Sequence, residues 1–209
     1  MKKQLISILC AAAFTCSAGA ANVADFSDVH PSDWYHDAVT YVSENELMNG
    51  TSGTTFSPND TTSRGMIVTI LYRLAVAPDM PEGNWGYPYA DVDASSYYST
   101  PVYCARENDL VTGYSNDRFG PNDPITREQM AVFLYRYAQA LEQDVTVDGD
   151  PLAGFADADM VSAYAVDALR WAAGTGLING TDSVTLSPRG GATRAQTAAI
   201  LIRFAEHTR

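Results

Sequence analysis

The sequence predicts an all-α fold built from three helix-loop-helix repeats, and three observations carry that prediction. The chain aligns with itself three times, over 26–73, 89–136 and 155–203. Within each copy the apolar residues recur with the period of a helix. Each copy also carries a recognisable helix-start signal at the same place, Ser63, Thr126 and Thr193. The corresponding repeat boundaries are 25–80, 88–140 and 154–207.

Each copy opens with an aromatic, a small residue and an aspartate: Phe26-Ser27-Asp28, Tyr89-Ala90-Asp91 and Phe155-Ala156-Asp157. An aromatic follows, Trp34, Tyr97 or Tyr164. The first helix is read around Ala38, Tyr41 and Val42, matched by Ala168, Trp171 and Ala172. In the second copy Pro101 stands where Ala38 does, so that helix is expected to start later or be displaced. Leu47 and Gly50, Leu110 and Gly113, and Leu177 and Gly180 then mark the end of the first helix, with the glycine expected as its left-handed cap. Phe56-Ser57-Pro58, Phe119-Gly120-Pro121 and Leu186-Ser187-Pro188 lie midway through the following loop.

The second helix presents one apolar face in each copy: Ile67, Ile70, Leu71 and Leu74; Met130, Phe133, Leu134 and Tyr137; Thr197, Ile200, Leu201 and Phe204. Ser63, Thr126 and Thr193 read as its N-caps. Gln129 and Gln196 complete capping boxes, which Met66 breaks in the first copy. Arg64, Arg127 and Arg194 fall at the first helical residue. A guanidinium beside free N–H groups at a positive dipole end is a small anion site. The alternative is that each arginine pairs with Asp28, Asp91 or Asp157, or lies solvated. In either case a first-turn arginine is expected to project outward and contribute little packing.

Residues 1–20 read as a secretory signal peptide: Lys2 and Lys3, an apolar stretch from Leu5 to Phe14, and a small-residue site at Ala18-Gly19-Ala20. No later segment approaches the ~20 apolar residues of a membrane span. Removing that leader takes Cys10, Cys16 and both lysines with it. Eleven arginines then face 25 acidic residues, a net charge of −14. This charge is wrong for nucleic acid, whose affinity comes from cations on phosphates, and for an anionic lipid surface. Cys104, left alone, cannot form an intrachain disulfide, so the fold must rest on core packing.

Taken together the motifs resemble the S-layer homology domain of bacterial cell-surface proteins. The second-helix starts Ser63-Arg64-Gly65-Met66, Thr126-Arg127-Glu128-Gln129 and Thr193-Arg194-Ala195-Gln196 stand where that family has Thr-Arg-Ala-Glu. The resemblance implies a pseudo-trimer around a central three-helix bundle of second helices. It further implies grooves that bind a secondary cell-wall polysaccharide without covalent attachment, often one bearing a pyruvate ketal. Carried onto this chain, the implied binding residues are Arg64, Arg127 and Arg194, Asp28, Asp91 and Asp157, Trp34, Tyr97 and Tyr164, and Gly50, Gly113 and Gly180. The second copy is closest to the motif and its groove is expected to be the most complete. The third copy departs at Arg189-Gly190-Gly191, and at least one of the other two grooves is expected to be degenerate.

No catalytic constellation is visible. His30, His36 and His207 lack metal-ligand spacing, and Asp148-Gly149-Asp150 lacks the ligand pattern of a calcium loop and reads as a linker, like Gly83 to Pro88. Cys104 aligns with Tyr41 and Trp171 and is expected as a buried core thiol. The expectation is a secreted, non-enzymatic monomer at the cell wall or S-layer, with no cofactor and no metal. Its partners would be cell-wall polysaccharide or peptidoglycan and possible envelope proteins. The competing expectation is a structural or protein-interaction component of the envelope that recognises no sugar.

Overall fold

The computed structural model describes residues 23–75, 89–114 and 116–208. The signal-peptide segment and the Gly83 to Pro88 linker lie outside the described residues. Six α-helices follow one another: α1 His36–Glu44, α2 Arg64–Leu74, α3 Ser99–Glu107, α4 Arg127–Ala140, α5 Val166–Gly174 and α6 Arg194–His207. Among the described residues there is no strand, and backbone pairing outside the helices is limited to isolated bridges. The fold is all-α, two helices per copy.

The caps follow the sequence. The Ser63 hydroxyl accepts the Met66 N–H at 3.2 Å, with no reciprocal bond. Thr126 with Gln129 and Thr193 with Gln196 form complete capping boxes. Pro101 displaces nothing: α3 begins at Ser99, the counterpart of His36, and its proline sits in the first turn, where no intrahelical N–H bond is lost.

The first helices do not end on the glycines. The left-handed residues are Glu46, Asp109 and Gly176, four positions earlier, and Leu47 and Leu110 N–H groups reach back to the Val42 and Ala105 carbonyls. Of the three glycines only Gly180 has a positive φ. Gly50 and Gly113 are required by packing: a Cβ at Gly50 would lie 2.6 Å from the Phe26 ring, and one at Gly113 would run into the Tyr89 ring. The opening aromatic of each copy lies against its own glycine.

The apolar faces read from the sequence are the core. Ile67, Ile70, Leu71, Met130, Phe133, Leu134, Tyr137, Ile200, Leu201 and Phe204 are all buried, and Leu74 is partly so. The helices that pack on one another come from neighbouring copies: α2 on α3, α4 on α5, and α6 back on α1. Second helices touch through side chains, with the Tyr137 and Phe204 rings 5.9 Å apart.

The residues just before the second helices close this order into a ring. The Ile125 N–H donates to the Thr62 carbonyl, Thr62 N–H to Ala192, and Ala192 N–H to Ile125. Thr62, Ile125 and Ala192 are fully buried, and Thr62 also shares a 2.8 Å hydroxyl bond with Thr197 of α6. Closing the ring sets the start of each second helix against the loop of the copy that follows.

Candidate cell-wall-binding site

The three arginines point inward, opposite to expectation. Arg64, Arg127 and Arg194 are only 3–5 % exposed. Each reaches into the loop of the copy that follows and donates through Nε to a backbone carbonyl: Arg64 to Phe119, Arg127 to Leu186 and Arg194 to Phe56, at 2.8–2.9 Å. Arg64 adds a bond to the Thr112 carbonyl and Arg194 one to Asn49. Burial pushes all three guanidinium groups below their ordinary pKa. They start so high that they remain charged.

The helix N-termini are occupied as well. The first two N–H groups of α2 donate to the Asp123 and Pro121 carbonyls, those of α4 to Gly190 and Pro188, and those of α6 to Asp60 and Pro58. The following loop therefore fills, with its own carbonyl oxygens, the anion site that the sequence placed there. The physical reason is shape. Each Pro-containing turn presents a cluster of carbonyls that a helix start and a guanidinium can satisfy together.

Asp28, Asp91 and Asp157 serve the same loops from within their own copy. Asp28 accepts the N–H groups of Phe56 and Ser57, Asp91 those of Phe119 and Gly120, and Asp157 those of Leu186 and Ser187, at 2.7–2.9 Å. Burial alone would raise the Asp91 pKa, yet the Phe119 and Gly120 N–H groups hold it below the usual range. The Leu186 N–H does the same for Asp157. One peptide segment in each loop is thus held at its N–H by an aspartate and at its C=O by the previous copy's arginine.

Trp34, Tyr97 and Tyr164 are 67 %, 61 % and 60 % exposed, so the aromatic of each copy stands in solvent at an equivalent place. Trp34 and Tyr97 rest edge-on against Tyr35 and Tyr98, at 5.3 and 5.0 Å between ring centres. The Tyr164 ring is exposed while its hydroxyl is drawn in to Glu128 at 3.0 Å. Desolvation of that hydroxyl and the Glu128 carboxylate push its pKa up to about 12.

A groove of about 380 Å³ runs beside the first copy's loop. All three copies build it: Asn49, Gly50 and Thr51 with α2 from the first, Tyr97 from the second and Arg194 from the third. Leu47, Met48, Met66 and Ile70 give it an apolar wall. Arg73, absent from the sequence reading, lines it too, and its Nη1 is held by the Glu46 and Leu47 carbonyls. Its signal was the arginine at the same place in each copy, Arg73, Arg136 and Arg203. Among the described residues no acidic side chain lines the groove, in a chain of net charge −12.

Among the described residues no cluster of histidine, cysteine and acidic side chains could hold a metal, and no helix is long and apolar enough to cross a membrane. Cys104 is half-buried rather than fully buried, and burial raises its thiol pKa, which keeps it in the unreactive protonated form.

Comparison with known proteins places these features. The S-layer homology domain family matches at residues 25–65, 88–131 and 154–198. An endoglucanase of Bacillus sp. (strain KSM-635) is 31 % identical over 87 % of this chain and 19 % of its own length. An amylopullulanase of Thermoanaerobacterium thermosulfurigenes is 26 % identical over 87 % of this chain and 9 % of its own. The surface-layer 125 kDa protein of Lysinibacillus sphaericus is 30 % identical over 59 % of this chain and 11 % of its own. The chain spans less than a fifth of the length of these relatives. With the family matched in all three copies and surface-layer proteins among its relatives, this is a secreted protein of the cell surface and cell wall, and the chain belongs to the S-layer homology domain family.

Proposed function

We propose that this chain anchors to the cell wall by non-covalent binding of an anionic secondary cell-wall polysaccharide, one bearing a pyruvate ketal, and that it performs no catalysis. The observation that carries this reading is the first groove, whose described lining brings together two arginines and an exposed tyrosine and includes no acidic side chain. A carboxylated sugar matches that set: its charge finds Arg73 and Arg194, its ring face finds Tyr97, and a ketal methyl finds the Met66 and Ile70 wall.

The test compares retention of the whole protein on wall sacculi before and after mild acid removes the ketal. Retention should fall sharply once the ketal is gone. Tyr97→Ala should weaken binding about tenfold, or about 1.4 kcal/mol, and leave the thermal transition in place because the ring is largely in solvent. Equal retention on intact and stripped sacculi would replace sugar recognition with contact to another envelope protein.

A further inference from the structure

We infer that the second groove is plugged by Tyr114, a residue of its own loop, so that the chain has fewer ligand sites than repeats. This rests on the reading of the first groove as a polysaccharide site. The two loops differ at aligned positions. Where the first copy has Thr51 and Ile70, the second has Tyr114 and Phe133. The Arg64 guanidinium, which belongs to the second groove, lies 4.8 Å from the centre of the Tyr114 ring, 4.6 Å from Phe119 and 5.2 Å from Phe133. Its Nε and Nη2 donate to the Phe119 and Thr112 carbonyls. Arg194 makes the same two backbone bonds, to Phe56 and Asn49, so the difference lies in the rings: with Tyr114, Phe119 and Phe133 around it, Arg64 has no face left for a carboxylate. By contrast the Arg194 carbon lies 4.5 Å from Phe56, and the groove opens onto its side chain.

A second, independent feature shows that this arrangement is built in. The Tyr114 ring shares the space over Gly120 with the Asp123 carboxylate: a Cβ there would fall 2.6 Å from the Tyr114 Cε2 and closer still to the Asp123 Oδ2. The aligned residues in the other copies are Ser57 and Ser187. Those serines have φ of 58° and 54°, close to the 68° of Gly120, so backbone conformation does not demand glycine there. The ring and the carboxylate over it do. In the first copy the same two positions hold Thr51 and Ser57, whose hydroxyls share a 2.6 Å bond, and the small Thr51 side chain lines the groove without filling it. The third copy carries the same pair, Thr181 and Ser187. Glu128 completes the closure by holding the Tyr164 hydroxyl and the Ser162 N–H and hydroxyl.

Transplanting the pair tests the inference: Tyr114→Thr with Gly120→Ser, in the full chain. Isothermal titration with a methyl hexopyranoside carrying a pyruvate ketal should show the stoichiometry rise by one mole of sugar per mole of chain over the parent. A crystal structure of the variant should show a groove open beside Arg64. Unchanged stoichiometry on a parent that binds, or a guanidinium still covered in the variant, overturns the plug. If the parent binds no sugar while the variant's groove opens, the plug stands and the polysaccharide reading falls. Tyr114→Thr alone, which keeps Gly120, serves if the double variant fails to fold.

Discussion

Arg127 shows what a sequence can and cannot say about one residue. Its place at the first helical position was legible from Thr126 and Gln129, and the capping box is there. Its direction was not legible, because that is set by the carbonyls of a loop about sixty residues away, at Leu186 to Gly190. At a lone helix start the side chain would point to water. Here the following copy surrounds it, and it is 3 % exposed. The aspartates were half-legible for the same reason: they lie beside the arginines in the loop, yet each takes peptide N–H groups. The exposed aromatics were the best guide to the surface. Arg127→Ala should therefore lower stability by about 1.5–3 kcal/mol, the scale of a hydrogen bond from a charged group. Arg127→Lys should recover little, since an ammonium lacks a donor at the Nε position. Chemical denaturation measures both, and a loss below half a kcal/mol for Arg127→Ala would return the side chain to a solvent-facing role.

At the scale of elements, the helix faces and caps were readable because they depend on neighbours three and four residues apart. The glycine ends were misread because a Leu-x-x-Gly end looks like a left-handed cap, whereas Glu46 and Asp109 adopt that conformation and the glycine yields to an aromatic ring. The loops hold their shape through Asp28, Asp91 and Asp157, and that gives a dependence on pH. The Asp91 and Asp157 pKa values are lowered in the folded protein. Their contribution is thus fully present above the unfolded carboxylate value of about 3.9, and is lost as pH falls through the folded values. Neither Asp91 nor Asp157 titrates between pH 7 and 5. The melting temperature should be level over that range with respect to these loops and decline below about pH 4. Asp91→Asn should lower the neutral plateau and shallow the acid decline. A parallel acid limb in parent and variant would show that the loop N–H bonds do not drive it.

At the scale of the whole molecule, the sequence showed three copies but could not show which helices pair. The aligned apolar faces are alike, so a second helix could sit on the first helix of its own copy or of the next. The structure takes the second choice throughout: α2 on α3, α4 on α5, α6 on α1. Backbone bonds among Thr62, Ile125 and Ala192 join the three junctions at one place. This topology makes a different prediction from an open stack of repeats. In an open stack, removing an end copy breaks one interface and removing the middle copy breaks two. In a closed ring every deletion breaks two of three. Loss of the third copy strips α6 from α1 and α5 from α4, removes Arg194 from the Phe56 carbonyl, and leaves the α4 N–H groups without Gly190 and Pro188. Loss of the first copy is as damaging, because it removes α1 from α6 and α2 from α3. Deleting residues 25–80, 88–140 or 154–207 should therefore abolish the cooperative thermal transition in all three cases, followed by circular dichroism at 222 nm. A two-copy fragment from either end that still melts cooperatively, with only the middle deletion unfolded, would mean that the α6 to α1 junction does not hold the ring closed.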